Sequence, residues 1–272
     1  MGAGSETLIA VDEGLGVFGF RAGSDSAHAS RTLMIDEVSV LFDALPREAT
    51  KDRYREAIVE ENLLAKSTRK NRQLSYKYLT SLYGLELDSP VFFRLRGFWG
   101  LQQASRPLLL FSAALARDPL LRMSLPWYLS LPLGTEVPRE MIEDRLSQAF
   151  PGRFSAASTK SIAQNLSGSY TVAGFLEGKV RKRRTQPLLH PESATFLSFL
   201  AYLNGYDNQA ILTSPWAKIT GRRTDEFEAC LESAAYRGWI EFLKAGGVKE
   251  IRFPGYLGPS QEAYRREVRD AA

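Results

Sequence analysis

The sequence predicts a mainly α fold: a helical N-terminal region followed by tandem winged-helix-like units with short β-hairpin wings. Three observations predict it. Apolar residues recur at helical spacing through most of residues 33–236. Trp239–Leu243 and Val248–Phe253 alternate around Ala245-Gly246-Gly247, the pattern of two strands joined by a glycine turn. An order of helices followed by an extended stretch occurs twice, at about 105–188 and 189–256. That order is the one of a winged helix-turn-helix. The expected divisions are 1–32 (an extension), 33–104 (a helical domain), 105–188 and 189–256 (two winged-helix-like units) and 257–272 (a tail).

Element by element, residues 7–21 carry apolar stretches broken by glycines and suggest a strand pair. Residues 22–31 are small and polar, so a flexible join is expected, with His28 solvated. Val38, Leu41, Phe42 and Leu45 mark a first helix that Pro46 ends. Tyr54, Ile58 and Leu63 mark a second over 51–64, and Leu74, Tyr78 and Leu82 a third from Thr68 to Tyr83, stopped by Gly84. Asp88 and Pro90 open a fourth over 88–101.

In the first unit, Pro107 opens an apolar helix to about Leu121. Thr135 is the expected cap of a helix through Ile142 and Leu146 that ends at Pro151-Gly152. Ser155 or Ser158 caps the next, which buries Ile162, Leu166 and Tyr170, and a basic extended stretch comes after Gly178. In the second unit, Phe196, Phe199, Leu200 and Leu203 form the core face of one helix. Thr224 caps another through Tyr236, and the Gly-Gly hairpin completes the unit.

At 272 residues, 44% hydrophobic and 24% charged, the chain has the composition of a soluble globular protein. No secretory signal is visible, and the most apolar run, Pro107–Ala116, is too short to cross a bilayer, so a buried helix in a cytoplasmic protein is expected. One cysteine, Cys230, excludes an internal disulfide and a Cys-rich zinc site, and its apolar neighbours suggest a buried thiol. Two histidines, His28 and His190, offer little to acid–base chemistry, and His190 before Pro191 suggests a structural role. Gly14-Leu15-Gly16-Val17-Phe18-Gly19 matches a dinucleotide fingerprint, but Phe20-Arg21-Ala22-Gly23-Ser24 is a poor helix start, so a glycine-rich turn is expected. No GxSxG, phosphate-binding GK[ST] loop or HExxH is present. No cofactor or metal is expected, and nothing argues for an enzyme.

Charge is where the sequence speaks. From Gly152 to His190 there are seven Lys/Arg and one acid, Glu177, a net +6 in a chain whose total is +4. A concentrated cation strip is the electrostatic footprint of a protein that holds a polyanion. Lys179, Arg181, Lys182, Arg183 and Arg184 form its core. The preceding helix pattern places Lys160, Gln164, Ser167 and Thr171 on one stripe with Asn165 beside it. These are donors and acceptors suited to bases and phosphates, with no acid to repel them. A second cluster, Lys66, Arg69, Lys70, Arg72 and Lys77, either meets phosphate or solubilises its helix. The corresponding helix of the second unit carries Asp225, Glu226, Glu228 and Glu232. That unit is therefore expected to pack against protein, or to touch DNA only through Lys244, Lys249, Arg252, Arg222 and Arg223.

Glu60-Glu61-Asn62-Leu63-Leu64-Ala65-Lys66-Ser67-Thr68-Arg69-Lys70-Asn71-Arg72, then Tyr78-Leu79-Thr80-Ser81-Leu82-Tyr83, resembles the N-terminal helical signature of the BrxA family. That signature is an ENLL-type turn, a Ser/Thr-Arg-rich helix and a leucine-rich run. Leu115-Ala116-Arg117-Asp118-Pro119-Leu120-Leu121-Arg122 is similar to the family's middle helix, and the likeness spans about 55–175. The family belongs to bacteriophage-exclusion (BREX) defence systems. The resemblance implies a small helical or winged-helix protein that binds DNA without catalysis, alongside other phage-defence subunits. The chain looks longer than the usual member at both ends. The expected partner is duplex DNA; a scaffold subunit docking an acidic protein and an RNA binder are the alternatives.

Overall fold

Prolines and short polar caps punctuate a chain that is mainly helical, with two small antiparallel hairpins. A computed structural model describes residues 8–271; the part of the N-terminal expectation that falls on 1–7 lies outside them. The α-helices are α1 (Ile35–Ala44), α2 (Lys51–Arg55), α3 (Arg69–Tyr83), α4 (Pro90–Trp99), α5 (Arg106–Arg117), α6 (Pro119–Ser130) and α7 (Arg139–Ala149). They continue with α8 (Ala156–Val172), α9 (Pro191–Leu203), α10 (Gln209–Thr213), α11 (Pro215–Lys218), α12 (Thr224–Tyr236) and α13 (Pro259–Ala271). Strands β1 (Leu176–Glu177) and β2 (Arg183–Arg184) pair with each other, as do β3 (Glu241–Ala245) and β4 (Val248–Arg252).

The apolar helix α5 and the helix α9 form the spine. Leu108–Ala116 and Ala194–Ala201 are buried on every side, and α9 packs on α4, α5, α11 and α12. A helix apolar all round has to lie inside. One continuous apolar core therefore joins the N-terminal helices to both hairpin-bearing regions. Phe42, Tyr54, Phe92 and Trp99 meet edge-to-face at its N-terminal end. Among the described residues no helix is long and apolar enough to cross a membrane.

The sequence places most helices but misjudges several joins. The glycine-rich segment is a 3-10 turn over Gly14–Phe18 and not a strand pair. Asp12 accepts from the Leu15 N–H at 3.1 Å, and Leu15 and Phe18, three apart and so eclipsed in a 3-10 turn, are both buried. Gly19 closes the turn at φ +100°, and a Cβ there would sit 2.0 Å from Ser89 Oγ. The expected flexible join is ordered instead. Ser26 Oγ and the N–H of Ala27 and His28 all donate to the buried Asp118. His28, expected in solvent, is fully buried, with Nδ1 3.1 Å from Asp118 Oδ2 and Nε2 2.9 Å from Ser169 Oγ. A short polar segment is legible as a loop, but not as one whose polar groups all find partners indoors.

Other corrections are local. The single helix expected from Pro107 is two, because Asp118, before Pro119, is extended and caps α6 through Leu121 N–H. Ser89, not Asp88, caps α4. Thr135 caps nothing; α7 begins after Pro138. Thr224 is the first residue of α12 rather than its cap, and Glu226 accepts from the Arg223 N–H in front of it. Helix α3 buries Ser75, Leu79, Leu82 and Tyr83, one position round from the expected 74/78/82 face. The second segment passes from α2 into a π turn over Glu56–Glu60 and stops there. Residues 254–271, where the sequence allows helix or loose chain, include the helix α13, whose Tyr264 hydroxyl donates to the Gly14 carbonyl.

Candidate nucleic-acid interface

Ser155 caps α8 by accepting from the Ser158 N–H at 3.2 Å. Ile162, Leu166 and Tyr170 then fall on one face and bury, with Tyr170 stacked on Tyr128 at 3.5 Å between ring centres. The polar stripe splits along the helix. Lys160 and Gln164, in the N-terminal half, are exposed. Ser167 is buried, and the half-buried Thr171 donates back to the Ser167 carbonyl at 2.7 Å. Asn165 donates to the His28 carbonyl at 3.0 Å. The outward surface of α8 is thus its N-terminal half, with Ser158 and Ser161 beside Lys160 and Gln164.

The basic stretch is a hairpin next to that surface. Only Arg183 and Arg184 are strand; 178–182 form the turn. Gly178 enters it at φ +100°, where a Cβ would lie 2.2 Å from the Arg181 carbonyl oxygen, so no other residue fits without moving the turn. The hairpin is tied to the segment before α7: Glu136 bridges Arg183, Thr135 O accepts from Arg184 N–H at 2.8 Å, and Val137 N–H donates to Lys182 O at 2.8 Å. Strand alternation then decides each cation's fate. Arg183 points out. Arg184, only 4% exposed, points in, donates to the Tyr128 and Phe175 carbonyls, and lies over the Phe175 ring. It is a structural latch and is closed to a phosphate, against the sequence expectation. Lys182 is half-buried. Its Nζ reaches Ser167 Oγ at 3.0 Å, and burial lowers its pKa. Lys179 and Arg181 are exposed on the turn around Val180, itself 92% exposed. A shallow groove of about 200 Å³ runs between hairpin and helix, lined by Val137, Arg139, Gln164, Ser167, Val180 and Lys182.

Pairing separates the two hairpin regions. Among the described residues, Arg145, Arg153, Lys160, Lys179, Arg181, Lys182, Arg183 and Arg184 have no carboxylate within 4.0 Å, and no other cation lies between Arg145 and Arg184. From Arg222 to Arg252 every cation has one. Arg222 and Arg223 meet Glu226, Arg237 meets Glu192, Lys244 meets Glu228 and Glu232, Lys249 meets Glu228, and Arg252 meets Glu241 and Glu250. Lys249 and Lys244 hold Glu228 below its ordinary range against the opposing effect of burial. The second hairpin's positive charge is therefore spent within the protein.

The 66–77 cluster is also largely engaged. Lys66 pairs with Glu37 at 2.8 Å and Arg69 with Glu60 at 3.1 Å, while Arg72 donates to the Val59 and Glu60 carbonyls at the end of the π turn. Lys70 and Lys77 remain exposed without an acid partner among the described residues. Arg145 and Arg153, absent from the sequence-based site, belong to the unpaired set. The signal was an acid-poor window that begins seven residues before Gly152.

Asp118, His28 and Ser169 align as an acid, a histidine and a hydroxyl, the order that activates a serine in hydrolases. All three are sealed from solvent, so no substrate reaches Ser169, and the set instead ties the 26–28 turn to α6 and α8. Cys230 is half-buried, and burial, with Glu192 and Glu226, pushes its thiol up and away from reactivity. His190 precedes α9 as its N-terminal cap position, its N–H held by Ser193 Oγ at 3.2 Å.

No protein-family model matches the chain, and no curated protein matches it. Among solved structures it is similar to an uncharacterized protein from Magnetospirillum magneticum, at 16% identity and TM-score 0.47, over 71% of this chain and 97% of that one. It is also similar to SspB, at 11% identity and TM-score 0.48 over 94% of this chain and 99% of that one. A magnesium ion-bound SspB structure gives 12% identity and TM-score 0.48, over 96% and 100%. Likeness at this level carries no argument about function.

Proposed function

We propose that the chain is a non-enzymatic protein that grips duplex DNA through α8 and the β1–β2 hairpin. The carrying observation is the run of cations from Arg145 to Arg183 that have no carboxylate partner among the described residues, set beside an exposed, acid-free helix face. The order α6, a bridging residue at Glu136, α7, α8 and a hairpin that pairs back to Glu136 supports a winged helix-turn-helix arrangement. In that arrangement the N-terminal half of α8 is the part that meets base edges, and its exposed residues there are Ser158, Lys160, Ser161 and Gln164. Lys179, Arg181 and Arg183 stand where a wing touches phosphate. The likeness of residues 60–83 and 115–122 to the BrxA family supports a place in a bacteriophage-exclusion defence assembly in the cytoplasm.

A gel shift of a 20–30 base-pair duplex across a salt series tests this. If five or six phosphates are neutralised, affinity falls on the order of 10³-fold between 50 and 200 mM salt. Salt-independent affinity, or no affinity at 50 mM, defeats the proposal. Competition with RNA of the same length separates the RNA-binding alternative.

The second hairpin favours a separate role in protein docking. Tyr236, Leu243 and Val248 are exposed there, at 94, 50 and 68%, on a surface whose charges are already paired. Replacing all three by serine is expected to leave DNA affinity unchanged and to weaken assembly with a partner subunit.

A further inference from the structure

Away from the hairpin, a cleft of about 550 Å³ opens between α3, the 21–30 segment and the α7–α8 turn. Arg21, Lys77, Arg117 and Arg153 line it, and Asp25 is the one acidic residue of the lining. Among the described residues none of these four cations has a carboxylate within 4.0 Å. Their remaining contacts are to neutral groups. Arg153 donates to the Ser24 carbonyl at 3.3 Å, Arg21 to the Arg117 carbonyl at 3.3 Å, and Arg117 to the Ser81 carbonyl at 3.1 Å. Burial, and then the charge of Arg21, push Arg117 down to about 10 against the opposing charge of Glu86, so like charges crowd here with only partial relief. A bound anion adds to that relief.

The walls also suit a flat ring. Tyr78 and Phe154 line the cleft, and Arg31 lies over the Tyr78 ring at 5.0 Å, adding a further cation at the rim. Beyond the Arg153–Ser24 contact lies a second pocket of about 410 Å³ with apolar walls from Ile9, Val11, Pro119, Met123 and Phe150. The two share Ser24, Leu120 and Arg153, so a charged end and an apolar end meet at one arginine. Each volume falls in the range of about 300–1,000 Å³ usual for small-molecule sites.

We propose that this cleft binds a nucleotide, its phosphate among Lys77, Arg21 and Arg153 and its base against the aromatic and apolar walls. The nucleotide is either free or the 5′-phosphorylated end of a nucleic-acid strand; the phosphate chemistry is the same. The site is distinct from the hairpin, shares only Arg153 with the unpaired run from Arg145 to Arg183, and does not depend on the duplex-binding proposal.

The test is calorimetric titration of the full chain with AMP, ATP and a 5′-phosphorylated single-stranded tetranucleotide. Saturable binding of at least one is expected; binding of AMP or ATP marks a free nucleotide, and binding of the tetranucleotide alone marks a strand end. Lys77→Ala with Arg153→Ala, both at exposed positions, is expected to weaken it at least tenfold with unchanged melting temperature. Lys179→Glu with Arg181→Glu and Arg183→Glu is expected to leave it intact. No saturable binding of any of the three overturns the proposal. So does binding that survives the cleft pair or is lost with the hairpin triple.

Discussion

Arg183 and Arg184 are adjacent and chemically identical, and the fold gives them opposite work. One faces solvent between its cross-strand neighbours Glu136 and Glu177, with no carboxylate within 4.0 Å; the other is sealed against Tyr128 and Phe175. Arg184→Ala leaves buried carbonyls without donors, and a loss of about 2–3 kcal/mol in urea unfolding is expected. Arg183→Ala is expected to stay within about 0.5 kcal/mol, because it is a surface change. Equal costs would mean that both arginines are structural or both free. Asp118 is the other decisive residue. Burial alone would raise its carboxyl, but His28, Ser26 and the Leu121 N–H hold it well below the ordinary carboxylate range. A depressed folded-state pKa stabilises above the unfolded value of about 4, and that contribution is lost as pH falls below it. Wild-type protein is therefore expected to lose stability below about pH 4 more steeply than Asp118→Ala. That variant is itself expected to be about 3–5 kcal/mol less stable at neutral pH, because a buried partner is left alone. Parallel pH profiles for the two proteins would remove Asp118 from this role.

At the scale of elements, α8 and the first hairpin divide the work. Lys160→Ala is expected to weaken duplex binding uniformly and to reduce the salt slope by about one. Gln164→Ala is expected to cost about 1–3 kcal/mol on a preferred sequence and little on others, measured by gel shift over a panel of duplexes. Equal losses on every duplex would place Gln164 at a phosphate. Helix existence was legible here because Ile162, Leu166 and Tyr170 keep strict helical spacing, and the second hairpin because Gly246-Gly247 interrupts clean alternation. What could not be read was the facing of polar residues. Ser167 shares a stripe with Lys160 and Gln164, and Asn165 flanks it, yet Lys182 covers Ser167 and the 26–28 turn engages Asn165. That cover comes from residues more than a hundred positions away or across a turn, and helical periodicity holds no information about it. The strip of cations was legible as charge, but which member turned inward depended on a two-residue strand with its own alternation.

Across the whole molecule, net charge is a poor guide to surface charge. Arg96, Arg122, Arg184 and Arg265 are buried and bind backbone carbonyls. Burial lowers Arg96 and Arg184, and brings Arg122 down to about 10. Most cations near the second hairpin are neutralised by α12 and by the hairpin itself. Exposed cations without a carboxylate within 4.0 Å among the described residues also occur elsewhere, at Arg47, Arg55, Lys70, Lys77, Lys218 and Arg266, but residues 145–183 hold the longest run of such cations in a chain whose formal total is only +4. The most direct measurement compares charge reversal on the two hairpins in one duplex-binding titration at 100 mM salt. Lys179→Glu/Arg181→Glu/Arg183→Glu is expected to lower affinity at least a hundredfold with an unchanged unfolding midpoint, and Lys244→Glu/Lys249→Glu to change it less than threefold. Equal losses from both hairpins, or none from the first, would contradict the assignment of the polyanion surface to residues 145–183.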